Sequence, residues 1–170
     1  MKEYNLKQQK AINSLLYVIS KLEKADTHKT YKILYFADQK HLVRYGRPII
    51  GDTYVKMPYG PVPSFVKDVV DENIKGLEEV TAKYNKFYLK ALQEVNLDFL
   101  SETDVECLDE ALEENKLLSF DDLTEKSHDY AYEKSNWVIG YNDIAKATDH
   151  DDVILKYINS QIINENLELS

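Results

Sequence analysis

Apolar positions fall into helical register soon after the start of the chain. Over residues 7–24, Ala11, Ile12, Leu15, Leu16, Ile19 and Leu22 recur at helical spacing with Lys and Gln between them, which predicts an amphipathic helix. A second helix is predicted from about His28 to Tyr45, capped by Asp26 or Thr27 and closed by Gly46. Tyr31, Ile33, Leu34, Tyr35, Phe36, Ala37, Leu42 and Val43 cover most of its circumference, so it should lie at the centre of the fold.

The pattern then breaks. Residues 46–63 hold all four prolines (Pro48, Pro58, Pro61, Pro63) and three of the five glycines (Gly46, Gly51, Gly60). Proline fixes φ and glycine permits φ > 0, so the segment reads as a loop of fixed shape rather than a flexible linker. Asp52–Met57 alternates enough for a short strand. Pro63 can occupy the first turn of a third helix running to about Lys75, with Phe65, Val66, Val69, Val70 and Ile74 inward.

Glu79–Lys83 and Lys86–Lys90 predict an antiparallel hairpin, joined by the strand near Tyr54. Ser101 and Ser119 cap two further helices, the first reaching about Asn115 and the second His128. Irregular aromatic sequence follows to Asn142. A last helix spans roughly 151–164, with Val153, Ile154, Tyr157, Ile158 and Ile162 on one side, before a frayed tail from Asn164. The expected architecture is one mainly α domain with a small antiparallel sheet or hairpin. Residues 1–142 would form its body, and 143–170 an acidic helix and tail packed on it.

Composition narrows the class. With 170 residues, 44% hydrophobic and 30% charged, the chain suits a single globular core and excludes collagen-like or low-complexity states. No run approaches the roughly 20 apolar residues of a membrane span. No signal segment is visible, and the single Cys107 fits a reducing cytosol. Residues 1–100 carry 16 basic and 12 acidic side chains, residues 101–170 carry 5 and 18. That acidity opposes phosphate binding and favours a basic protein partner.

Candidate chemistry is sparse. Cys107 lies between acidic residues that weaken thiolate character, so it reads as structural. The dipeptides His128-Asp129 and His150-Asp151 offer metal ligands without helical ligand spacing. Asp38 and His41 share a helix face, as an acid/base pair or as a buried anchor for the loop. Arg47 and Asp52 could pair to hold that loop. Tyr45, Tyr54, Tyr59, Tyr84, Tyr88, Tyr130 and Tyr132 gather around the loop, the hairpin and the irregular region, and some suit an interface.

Lys32-Ile33-Leu34-Tyr35-Phe36-Ala37-Asp38-Gln39-Lys40-His41-Leu42, Tyr45-Gly46-Arg47-Pro48-Ile49-Ile50-Gly51-Asp52-Thr53-Tyr54 and Met57-Pro58-Tyr59-Gly60-Pro61-Val62-Pro63 together resemble the Panacea, or SocA-like antitoxin, domain, which is related to phage-associated GepA-like proteins. Ser119, Leu123, Ser127-His128 and Trp137 resemble that domain's later segment. The resemblance covers roughly residues 8–140. It implies a bacterial or phage antitoxin that neutralises a cognate toxin encoded nearby by direct binding, without a cofactor or catalytic residues. The family's toxins include alarmone-synthetase-like enzymes, and one member type delivers its toxin to a protease. The alternatives carried forward are such a proteolytic adaptor and a metal-dependent helical hydrolase. By the resemblance, Asp38, His41, Tyr45, Gly46, Arg47, Pro48, Gly51, Asp52, Tyr54, Tyr59, Gly60, Pro61, Val62, Pro63, His128 and Trp137 mark either the loop scaffold or the partner contact.

Overall fold

A computed structural model describes residues 5–168. Helix α1 (Leu6–Lys21) opens on a capping box, in which Asn5 accepts from the Gln8 N–H and the Gln8 side chain accepts from the Asn5 N–H. Strand β1 (Ala25–Asp26) leads into α2 (Thr27–Tyr45), capped by Asp26 and ended by Gly46 at φ +81°. Ile33, Leu34, Tyr35, Ala37 and Leu42 of α2 are fully enclosed, as its all-round apolarity predicts. Around it pack α1, α4 (Glu102–Asn115), α5 (Phe120–Ser127), α7 (Tyr141–Lys146) and α8 (Asp152–Glu168).

Two three-stranded antiparallel sheets flank the helices. In the first, the β4 (Thr81–Tyr84)–β5 (Tyr88–Ala91) hairpin is joined by β1, with Ala25 opposite Leu89. The expected partner near Tyr54 belongs instead to the second sheet. There β2 (Tyr54–Met57) pairs with β3 (Gly60–Pro63) and β6 (Val138–Ile139). The Gly-Pro-Val-Pro run hides β3 from a periodicity reading. It is tolerated because β3 is an edge strand, and because the Lys56 N–H opposite Pro61 turns to the Trp137 carbonyl at 2.7 Å.

Pro63 therefore closes β3 rather than lying inside a helix. Helix α3 (Ser64–Val70) stops well before Lys75, where Glu72 takes φ +60°. The irregular aromatic stretch resolves into α6 (Tyr130–Lys134), capped by Asp129, then β6 and α7. On α8, Ile158 is buried, and Ile154, Leu155 and Ile162 pack against the core, but Val153 is 78% exposed and lies off the predicted stripe. The helix continues past Asn164 to Glu168, and the remainder of the expected tail lies outside the described residues.

Candidate functional site

The Gly46–Pro63 loop is held by buried carboxylates. Asp38, 1% exposed on α2, accepts from the Ile49 N–H (2.7 Å), the Ile50 N–H (3.0 Å) and the Tyr54 hydroxyl (2.6 Å). Burial pushes its carboxyl up to about 7, against the pull of those three donors. One turn on, His41 meets the Arg47 carbonyl through Nδ1 at 2.7 Å. A carbonyl can only accept, so Nδ1 carries the proton, and the neutral ring leaves Nε2 to accept from Thr103 Oγ1 at 2.9 Å. Asp38 and His41 thus grip different parts of the loop and share no proton between them.

Arg47 does not pair with Asp52. Its Nη1 lies 3.2 Å from Asp104, a wholly enclosed carboxylate on α4. Asp104 also receives Lys10 Nζ at 2.8 Å and the Ser101 N–H at 2.9 Å, and lies 3.3 Å from His41 Nε2. Burial opposes ionisation there, but Lys10, the Ser101 N–H and Arg47 outweigh it and hold the carboxyl below its ordinary range. Asp52 has a separate task. It accepts from Thr53 N–H, Phe65 N–H, Val66 N–H and the Ser64 hydroxyl, and so caps α3, where Pro63 has no side-chain donor or acceptor to offer.

Two glycines are required by close approach. A Cβ on Gly46 would lie 2.6 Å from the Tyr157 ring of α8. A Cβ on Gly60, at φ +118°, would strike Lys32 Cε and Ser127 Oγ inside 3.0 Å. Lys32 is itself 1% exposed, and its ammonium donates to the Pro61 carbonyl at 3.1 Å. Burial lowers that amine to about 7. Val62 is buried opposite Val55, Pro63 lies opposite Tyr54, and the Pro48 carbonyl accepts from Arg47. At Gly51, φ is +61° beside the Lys7 stem.

The remaining sequence candidates divide by exposure. Tyr54 and Tyr132 are enclosed, and the Tyr132 hydroxyl donates to the Met57 carbonyl at 2.6 Å. Tyr45, Tyr59, Tyr84, Tyr130 and Trp137 stand open to solvent. His128 stacks on Tyr132 at 4.0 Å, and Asp129 caps α6 while accepting from Tyr35. His150 bonds the Thr148 carbonyl, and Asp151 caps α8. The two His-Asp dipeptides therefore stay apart, and among the described residues no group of three His, Cys, Asp or Glu is placed to hold a metal. Cys107 is buried, and burial raises its thiol to about 11.

The structure adds residues that pattern reading passed over. Asp104 is legible only as the last residue of a Ser-x-x-Asp capping box. Lys32 could have been suspected, because it sits inside an apolar helical run. His28, Phe87 and Phe120 carry no sequence signal, yet His28 stacks on Phe120 at 4.0 Å and Tyr59 meets Phe120 edge-on at 5.2 Å.

A family model for the antitoxin SocA-like, Panacea domain matches residues 31–137. The chain belongs to the Panacea family. No curated protein and no solved structure matches it. The Panacea match begins inside α2, takes in the loop, α4 and α5, and ends at Trp137. Lys10, which pairs with Asp104, and Tyr157, which lies against Gly46, thus come from outside the matched residues. No helix among the described residues is long and apolar enough to cross a membrane.

Proposed function

We propose that this Panacea protein is an antitoxin that neutralises a cognate toxin encoded nearby by direct, stoichiometric binding. The match over residues 31–137 carries the reading. The geometry supports it in a second way. The polar groups of the motif loop are engaged inside the fold by Asp38, His41, Asp52 and Asp104, so they serve as scaffold. Large aromatic side chains are left outside: Tyr45, Tyr59, Phe87, Phe120 and Trp137 are 42–64% exposed. Exposed, rigidly held aromatics are the residue types that dominate protein–protein binding energy. Inhibition in this reading is occlusion of the toxin and needs no chemistry on it. The acidic balance of residues 101–170 favours a basic protein face over nucleic acid.

Co-expression with the adjacent open reading frame tests the proposal. The neighbour should arrest growth alone, and this chain should restore growth and co-purify with it at a fixed ratio. Growth arrest that persists on co-expression, with no complex recovered, refutes it. Rescue that vanishes in a host lacking its ATP-dependent proteases would replace occlusion with delivery for degradation.

A further inference from the structure

We propose that the toxin docks in the groove between Phe87 and Phe120, presenting an apolar side chain flanked by Lys or Arg on its α5 side. This rests on the antitoxin reading above and extends it to one face and one partner chemistry. The groove has a volume of about 360 Å³ and is lined by Thr27, His28, Phe87, Leu118, Phe120 and Leu123, among others. Its rims are Phe87 (64% exposed) and Phe120 (48%), with Tyr59 (60%) beside them, and its floor is the enclosed Leu123. Isolated exposed apolar residues are ordinary, but two exposed aromatics lining one groove, with Tyr59 packed edge-on against one of them, have the composition of a binding hot spot.

The groove is also preorganised. Backbone bonds on both sides fix Phe87: its N–H donates to the Asn85 carbonyl, and its carbonyl accepts from the Thr27 N–H, both at 2.8 Å. The His28 ring stacks on Phe120, and its Nε2 lies between the Tyr59 carbonyl (3.2 Å) and Thr124 Oγ1 (3.0 Å). Burial lowers His28 to about 4, so the ring stacked on Phe120 carries no charge at neutral pH. A partner meeting ordered aromatics forfeits little conformational entropy on their account.

Charge selects the occupant. On α5, Asp121 and Glu125 are four residues apart and lie one position round the helix from Phe120 and Thr124. The side chains of Asp121, Asp122 and Glu125 are exposed and have no ionic or hydrogen-bond partner among the described residues. The opposite wall carries exposed Lys86 next to Phe87. A basic flank is therefore attracted at α5 and repelled at the hairpin, which sets one orientation.

The test uses the full chain and the purified product of the adjacent open reading frame, with affinity measured by titration. Phe87→Ala combined with Phe120→Ala should weaken binding by about 100-fold. Asp121→Lys with Asp122→Lys should weaken it about tenfold and flatten its salt dependence. Val153→Ala, 78% exposed on α8, which packs at the Gly46 end of α2 rather than the Thr27 end, should bind within about twofold of the parent. Melting curves check the fold, and the α5 charge variant keeps the proposal falsifiable if the aromatic one unfolds. Folded variants of the groove that bind within threefold of the parent overturn this docking face while leaving the antitoxin reading intact. A parent chain that binds no such product overturns that reading and this one with it. Self-association of the parent, abolished by Phe87→Ala, would assign the face to a second copy and overturn the proposal.

Discussion

Substituting Gly60 by alanine should be among the costliest single-carbon changes this chain can suffer. At φ +118° an L residue carries backbone strain of about 1–3 kcal/mol. The new methyl also meets two groups with no room to move. Lys32 is 1% exposed with its ammonium tied to the Pro61 carbonyl, and Ser127 is fully enclosed with its hydroxyl donating to the Thr124 carbonyl. Overpacking of this kind adds about 1–3 kcal/mol, for a combined loss of about 2–6 kcal/mol. Three glycines make the comparison internal. Gly51→Ala places its methyl 3.3 Å from the exposed Lys7 stem, which can swing away, so only the φ +61° strain of about 1 kcal/mol remains. Gly140→Ala meets nothing closer than 3.9 Å at an ordinary φ of −75°, so it should lose no more than about 1 kcal/mol, from the preference of the α7 N-cap for Gly over Ala. Urea denaturation of the three variants, with unchanged dependence on urea, gives the order directly. A Gly60→Ala loss no larger than that of Gly51→Ala would refute the claim that the β2–β3 hairpin is seated rigidly on Lys32 and Ser127.

Other consequences follow from the buried ionisable groups. Lys32 is lowered to about 7 in the fold against an unfolded value near 10.5, so the unfolded chain binds more protons between those limits and stability rises from pH 7 towards pH 9. Lys32→Met should flatten that rise and stabilise the protein at pH 7 by about 2 kcal/mol, after the loss of the Pro61 bond, as read from denaturation at several pH values. On the acid side both His41, lowered chiefly by burial, and Asp104, lowered by its cationic neighbours against burial, protonate more readily in the unfolded chain. Through these two groups stability is lost as pH falls, first below about 6.5 at His41 and then below about 4 at Asp104, while the raised carboxyl of Asp38 takes up its proton in the fold between about 7 and 4 and opposes the His41 loss. Asp104→Asn should cost about 3 kcal/mol at pH 7, by leaving Arg47 and Lys10 without their buried counter-charge, and should make the lower part of that acid limb shallower. Asp52→Ala orphans two first-turn donors of α3 and should cost about 2 kcal/mol in thermal or chemical melts.

Local chemistry was legible along the chain wherever the physics is local. The 3.6-residue period located α1, α2, α4 and α8, because burying one face of a helix leaves that signature in sequence. Asp26, Ser101 and Ser119 announced helix starts and Gly46 a helix end, because a cap bonds backbone only a few residues away. The all-round apolarity of α2 announced its central place. The prolines and glycines of residues 46–63 announced a loop of fixed shape.

What joins that loop to the rest is not local and was decided by the tertiary fold. Arg47 finds Asp104, 57 positions away, rather than Asp52, five away, because α4 delivers a buried carboxylate to the loop and α3 needs Asp52 as its cap. The proline-bearing β3 has no strand period, and it becomes a strand only because β2 offers it an edge where no proline N–H is required. Asp129 and His128 look like ligands side by side, but one caps α6 and the other stacks on Tyr132. Tyr59, Phe87 and Phe120 are unremarkable apart. They become one face because three connections end at the same corner of α2, and only the packed chain brings side chains that far apart in sequence within reach of a single partner.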